Sequence, residues 1–256
     1  MSEAPQGQGP KVLLLDIETA PNIAYTWGLW KQNIAINQIV KPGHTLCWAA
    51  KWLGDDDPYF YSIHEDGEPE MIGAAWELLN EADIVVHYNG KKFDIPVLQK
   101  EFILNDLPPP YRFKQVDLYQ VVRSQFRFAS NKLDYVSQQL GMDGKLQHKG
   151  MDLWRDCMNG DPAAWEIMEE YNVQDVIMME PLYRKLLPWI PNHPNMGLYV
   201  ENPDEPVCRA CGSTNVKQNG WERLTAARYK RYKCNDCGTN MRGRFQSQRE
   251  SENVLV

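Results

Sequence analysis

The stretch Lys11-Val12-Leu13-Leu14-Leu15-Asp16-Ile17-Glu18-Thr19 decides how the chain is read. It is an apolar run of strand length that ends in two carboxylates. Side chains alternate faces along a strand, so Asp16 and Glu18 share a face with Val12 and Leu14, and Ile17 shares the other with Leu13 and Leu15. Both faces are apolar up to Asp16, which predicts a central strand covered on both sides. Two carboxylates at the end of such a strand repel each other and are costly to desolvate. A divalent cation, a hard ion that prefers oxygen ligands, relieves both problems. Alone, an Asp-x-Glu at a strand end also fits a solvated edge.

Downstream the hydrophobic pattern alternates between strands and helices. Residues Ala20 to Val40, with Trp27, Trp30, Ile34, Ile36 and Ile39, read as an irregular excursion. Its tryptophans read as core aromatics, with exposed stacking surfaces as the alternative. Strands are expected at Thr45–Leu53 and Tyr59–His64, joined by an acidic turn as an antiparallel meander. Met71, Ile72, Ala75, Leu78 and Leu79 give helical spacing to Pro69–Asn80. A strand at Ile84–Tyr88 and a helix at Phe93–Leu104 follow, with Pro96 near the helix start. The turn at Pro108–Pro110 precedes a strand at Phe113–Asp117 and helices at Leu118–Phe126 and Leu133–Leu140, the second ended by Gly141. Gly144–Gly150 reads as a polar loop. Asp161-Pro162 is a strong helix start. That helix should reach about Glu180, where Pro181 kinks it or begins another helix ending at Leu187.

Two further acidic stations lie on this framework. His87-Tyr88-Asn89-Gly90-Lys91-Lys92-Phe93 leads to Asp94 at a helix N-terminus, whose dipole favours the negative charge. An ordinary N-cap for Asp94 and a turn-closing role for Asn89 are the plainer readings. Tyr171-Asn172-Val173-Gln174-Asp175 places Tyr171 and Asp175 on one helical face. Ile167, Met168, Met178, Met179 and Leu182 share that face, so it points inward. A buried acid needs a partner: a cation, a salt bridge to Lys or Arg, or a tyrosine hydroxyl. Lys91, Lys92, Arg123 and Arg127 can reach phosphates or simply be solvated. His87 and His148 read as structural histidines.

The 256 residues suffice for one sizeable domain and a small one. Hydrophobic and charged shares of 43% and 24% match an ordinary globular protein rather than a disordered or membrane chain. Met1 to Pro10 lacks the parts of a signal peptide and reads as a disordered leader, which points to the cytoplasm, or to the host cytoplasm if the protein is viral. The net charge of −7 hides an asymmetry. Pro206 to Arg249 holds ten Lys and Arg against Glu222 and Asp236. Of the chain's 27 basic and 34 acidic residues this leaves 17 and 32 elsewhere, a net −15. The basic segment is the candidate for phosphate contact. No stretch reads as a membrane span.

That basic segment carries Cys208-x-x-Cys211 and Cys234-x-x-Cys237, a strong signal for tetrahedral zinc. Gly212 and Gly238 each follow a pair and permit the tight knuckle turn. The arrangement resembles a zinc ribbon. Disulfides or a redox dithiol are the alternative. In Arg228-Tyr229-Lys230-Arg231-Tyr232-Lys233, cations alternate with aromatics on an expected strand. This makes Arg228, Lys230, Arg231 and Lys233 candidates for nucleic-acid contact, with protein recognition as the competitor. Cys47 and Cys157 read as buried, inert thiols.

Taken in order, Asp16-Ile17-Glu18-Thr19, Tyr88-Asn89-Gly90-Lys91-Lys92-Phe93-Asp94 and Tyr171-x-x-x-Asp175 resemble the three exonuclease motifs of the DEDDy family. These are 3′→5′ exonucleases with an RNase H-like fold. The set is most similar to the proofreading exonuclease domain of family-B DNA polymerases. Lys132-Leu133-Asp134-Tyr135-Val136 to Leu140-Gly141 is similar to that group's segment between the second and third motifs. The likeness covers about residues 11–187. No His-x-x-x-x-Asp pattern occurs there, which disfavours the histidine subclass. The chain departs from the family pattern in having no polymerase attached and a cysteine-rich tail instead.

The resemblance implies an α/β fold: an RNase H-like mixed five-stranded sheet flanked by helices, here with a small C-terminal zinc ribbon. It implies two Mg²⁺ or Mn²⁺ ions held by Asp16, Glu18, Asp94 and Asp175, with Tyr171 orienting the attacking water. Asn89 and Lys92 become candidate nucleic-acid contacts. The expected activity is 3′→5′ exonuclease action on nucleic acid, with DNA favoured. A structure-specific or RNA-directed nuclease on the same site is the first alternative. A non-catalytic adaptor binding nucleic acid or protein is the second. A replication or repair protein is a candidate partner for the ribbon. The expected organisation is a leader (1–10), the exonuclease domain (11–187), a proline-rich linker (188–205), the ribbon (206–245) and a tail (246–256).

Overall fold

A computed structural model describes residues 9–142, 150–200, 205–225 and 227–245. Residues 1–8, His148 with nearly all of the expected 144–150 loop, and the 246–256 tail lie outside the described residues. The chain divides into two compact units, Lys11–Leu182 and a second that takes in the described residues from Tyr183 onward.

In the first unit, β1 (Val12–Thr19) is the middle strand of a five-stranded sheet. The other four are β4 (Thr45–Trp52), β5 (Tyr59–Ser62), β6 (Ile84–His87) and β7 (Lys114–Asp117), in the order β5-β4-β1-β6-β7. β4 runs antiparallel to β1, and β5 antiparallel to β4. β6 is parallel to β1, and β7 to β6. The sheet is therefore mixed, as expected.

Both faces of β1 are covered. Leu13, Leu15 and Ile17 pack with Trp48 and Ala50 against α1 (Glu68–Glu81) and α2 (Asp94–Leu104). On the other side, Ala20, Leu46 and Cys47 pack with α5 (Met151–Met158) and α6 (Pro162–Leu186) through Leu153, Cys157, Trp165, Met168 and Tyr171. Val12 to Leu15 are all buried. Each contributes about 1.5–3 kcal/mol, which anchors a strand whose end holds two mutually repelling acids.

The helices begin where local chemistry allows. α1 opens with Glu68-Pro69-Glu70, acids and a proline in its first turn. α3 (Leu118–Gln125) is capped by Asp117, whose carboxylate accepts the Gln120 N–H, and α4 spans Leu133–Gln139. Asp161 accepts from the Ala163 N–H at the head of α6.

The structure departs from the sequence reading in four places. α5 is a helix in a stretch that carried no helix expectation. α6 runs through Pro181 as one 25-residue helix and ends in a 3-10 turn at Leu187–Trp189. Ile167 is exposed rather than on the inward face, because the buried ridge of α6 runs through Ala164, Met168, Tyr171, Asp175, Met179 and Leu182. Finally, the excursion after β1 holds a small antiparallel pair, β2 (Ile23–Ala24) with β3 (Ile39–Lys41). Trp27 and Trp30 there are not core residues. They are 99% and 84% exposed.

In the second unit, β8 (Val216–Arg223), β9 (Arg228–Cys234) and β10 (Asn240–Arg242) form an antiparallel sheet of order β10-β9-β8. The proline-rich stretch before it is packed against this unit. The Met196 N–H donates to the Arg209 carbonyl, the Arg209 guanidinium donates to the Pro191 carbonyl, and His193 is buried with Nε2 2.7 Å from the Tyr183 hydroxyl. Among the described residues no helix is long and apolar enough to cross a membrane.

Candidate active site

Strand β1 and helix α6 bring three carboxylates together. One oxygen each from Asp16, Glu18 and Asp175 lies within 4.8 Å of the other two. Asp175 is buried; Asp16 and Glu18 are half-buried. The alternation of β1 puts its two acids on the α6 side. The β1–β4 ladder is irregular between Glu18 and Thr19, where the strand leaves the sheet. Asn172, fully buried and three residues before Asp175, donates its Nδ2 to Asp16 Oδ2 at 2.8 Å. Sequence reasoning did not single it out, although residues three apart share a helical face.

The neighbours of this trio are not competing ligands. Cys47 lies opposite Glu18 in the ladder. Burial, then the charges of Glu18 and Asp16, push its thiol well above the ordinary range, so it remains protonated. Cys157 is likewise pushed up to about 11, chiefly by burial. Lys51, on the acidic face of β4 opposite Leu14, is paired with Glu180 at 2.7 Å. Tyr171 is buried one turn before Asp175, with its ring edge-on to Trp154.

Asp94 stands beside the trio rather than in it. Its Oδ1 accepts the backbone N–H of Ile17, the residue between the two β1 acids, at 3.2 Å. Burial pushes its carboxyl up to about 7; hydrogen bonds from its own N–H and that of Ile17 oppose the shift, and Asp117 adds to it.

Asp117 is the second residue the sequence reading passed over. The Asp-x-x-Gln pattern at the start of α3 was its signal. Besides capping α3, its Oδ1 accepts the Asn89 N–H at 3.0 Å. Asn89 needs that support, because its φ is +72°. At Gly90 a Cβ would come within 2.6 Å of the His87 ring, so only glycine fits the turn. His87 is buried, and burial lowers its pKa and keeps it neutral; its Nε2 lies 3.1 Å from Gln115 Oε1. Lys92 is exposed, and its backbone N–H closes the turn onto the Asn89 carbonyl. Lys91, Arg123 and Arg127 are exposed as well.

In the second unit, the Sγ atoms of Cys208, Cys211, Cys234 and Cys237 lie within 4.8 Å of one another. Cys208–Cys237 and Cys211–Cys234 are each 3.6 Å apart. That is far beyond a disulfide bond of about 2.05 Å. It is close to the ~3.8 Å edge of a tetrahedron whose corners lie about 2.3 Å from a central ion. Both knuckles fold alike. Gly212 N–H donates to Cys208 O, and Gly238 N–H to Cys234 O; Cys208 N–H donates to Ser213 O, and Cys234 N–H to Thr239 O. Gly212 and Gly238 sit at φ +76° and +79°. Side-chain hydrogen bonds with Cys208 and Cys237, and then burial, push the Cys211 thiol up. The donor set fits zinc.

On β9 the four candidate cations differ. Arg228 lies over the Trp221 ring at 3.9 Å, and Arg231 Nε donates to the Asn219 carbonyl. Lys230 and Lys233 are exposed.

A family model described as the RNase_H superfamily matches residues 13–187. The chain belongs to the RNase_H superfamily. The matched span takes in all three acidic stations, and superfamily membership supports a nuclease, a hydrolase acting on nucleic acid. Among solved structures the fold is similar to that of the family B DNA polymerase from the hyperthermophilic archaeon Pyrobaculum calidifontis, with a TM-score of 0.54 and 20% identity. That likeness covers 73% of this RNase_H-superfamily chain and 26% of the polymerase. No curated protein sequence matches the chain.

Proposed function

We propose that the chain is a metal-dependent 3′→5′ exonuclease that hydrolyses phosphodiester bonds of nucleic acid, DNA in preference. The observation that carries this reading is the trio of carboxylates from β1 and α6, with oxygens within 4.8 Å. Three hard, mutually repelling donors fit Mg²⁺ or Mn²⁺ and not a soft metal. When bound, two such ions neutralise phosphate charge and make water acidic enough to attack.

Within this proposal Asp16, Glu18 and Asp175 hold the ions, and Asp94 joins them from the start of α2, seated on the backbone between the two β1 acids. Asn172 fixes the Asp16 carboxylate. Tyr171 orients the attacking water. The 3′→5′ direction rests on the likeness of the three motifs to those of DEDDy exonucleases. The four cysteines hold one structural Zn²⁺ in a ribbon whose basic strand helps to bind substrate.

The test is a 5′-labelled single strand incubated with Mg²⁺ or Mn²⁺. A ladder of labelled products shortening from the 3′ end is expected. Asp16→Asn should abolish it without unfolding the chain, and Tyr171→Phe should impair it less. A single internal product would replace the exonuclease reading with a structure-specific endonuclease. Undiminished activity of Asp16→Asn would overturn the site.

A further inference from the structure

We propose that the excursion between β1 and β4 is an arm that binds single-stranded nucleic acid by stacking bases on Trp27 and Trp30. The inference deepens the nuclease reading and rests on it for where the strand leads. Trp27 and Trp30 are 99% and 84% exposed, and Tyr25 is 77% exposed. Large aromatics displayed this fully on one short segment mark a surface that meets something else.

The arm has a defined shape. Beyond the β2–β3 pair, Tyr25 N–H donates to Gln38 O, Gln38 Nε2 returns to Tyr25 O, and Ala35 N–H donates to Gln38 Oε1. Gln32 Nε2 donates to the Trp30 carbonyl. At the root, Ala20 N–H donates to His44 O and Gly43 N–H to Asn22 Oδ1. Ala20 packs in the same apolar cluster as Tyr171, so the arm springs from the side of the sheet that carries the acids.

Charge selects the occupant. The chain has 34 acidic residues, yet none falls between Glu18 and Asp55. Lys31 and Lys41, on the arm, are exposed. A protein partner would not require acids to be absent over such a length; a polyanion would. Exposed indoles on acid-free backbone, with lysines among them, match the aromatic platform that sequence-tolerant single-strand binding uses. A duplex offers no free base faces to such a platform.

The test uses the full, zinc-loaded chain and a labelled oligo-dT of about twelve nucleotides, within the span of one such site. Fluorescence anisotropy is read without Mg²⁺ or Mn²⁺, so that binding is seen apart from hydrolysis. Replacing both indoles by alanine should weaken binding roughly ten-fold or more while the salt dependence and melting temperature stay as in the wild type. Phenylalanine at both positions should recover most of the affinity, and leucine should not. Wild-type affinity in the double alanine variant would overturn the arm. So would leucine serving as well as tryptophan, which would indicate an apolar protein-docking surface, or a wild type that ignores oligo-dT. Hydrolysis is scored separately. Normal oligo binding in a chain that cleaves nothing would sink the nuclease reading and leave the arm standing.

Discussion

Asp94 shows how one residue can work against the fold. Its carboxyl is pushed up to about 7 from an ordinary 3.8, chiefly by burial. The folded state therefore binds this proton more tightly than the unfolded chain does. Stability is lost as pH rises from about 4 to about 7, and the loss is complete above that window. Without divalent ions, Asp94→Asn should raise the melting temperature near pH 8 and leave it close to wild type near pH 4, as read by calorimetry. A variant less stable than wild type near pH 8 would contradict the account. Asn172 makes a different prediction. It orients Asp16, so Asn172→Ala should raise the Mn²⁺ concentration needed for half-maximal hydrolysis roughly ten-fold, in the range seen when residues that orient metal ligands are lost. An unchanged Mn²⁺ requirement would show that Asp16 needs no such support. Strand alternation and helical spacing, which are local rules, pointed to Asp16, Glu18 and Asp175, and these three lie together; Asp94 stands beside them. Asn172 acts by a hydrogen bond to a residue remote in sequence, which spacing alone does not reveal, whereas spacing marks Asp117 as the cap of α3 and not as a support for Asn89.

At the scale of elements, β1, the meander, α1 and the parallel strands β6 and β7 could be read from their apolar pattern, because β1, β4 and β6 carry short apolar runs that are buried on both faces and α1 carries one apolar stripe. α5 escaped. It is eight residues long, starts after Gly150 with no side-chain cap, and holds its place through Leu153 and Cys157 in the core. At Pro181 the chain continues as one helix and does not begin another. A proline removes one helical hydrogen bond, but Met178, Met179, Leu182 and Tyr183 around it are all buried, and packing carries α6 past the gap. The excursion was legible as irregular, but its tryptophans were misplaced, since sequence shows that an indole is large and not what covers it.

The cysteine knuckles yield the prediction of this scale. Under the proposal, a three-stranded sheet with so small an apolar core would depend on the zinc held by its four cysteines. A zinc chelator should melt β8–β10 and expose four of the six cysteines to a thiol reagent, while Cys47 on β4 and Cys157 on α5, buried in one apolar cluster with α6, stay protected. Equal reactivity of all six, or none, would contradict a metal-held ribbon.

For the molecule as a whole, charge sets the problem. An acidic body must approach a polyanion, and the proposal meets this with cations at the acid trio, an arm free of acids and a basic strand beyond Tyr183. Lys230 and Lys233 are exposed and make the prediction that belongs here. Lys230→Gln with Lys233→Gln should weaken nucleic-acid binding uniformly across sequences and reduce the slope of log affinity against log salt by about two. An unchanged slope would assign that strand to a protein partner instead.

The central claim is that Asp16, Glu18 and Asp175 hold hard cations that hydrolysis requires. It is tested most directly by titrating the zinc-loaded chain with Mn²⁺ in a calorimeter, wild type beside Asp175→Asn, and assaying the same samples on a 5′-labelled single strand. The account predicts Mn²⁺ uptake and 3′-end shortening in the wild type, with both lost together in the variant. Mn²⁺ uptake and hydrolysis at wild-type levels in Asp175→Asn would contradict it.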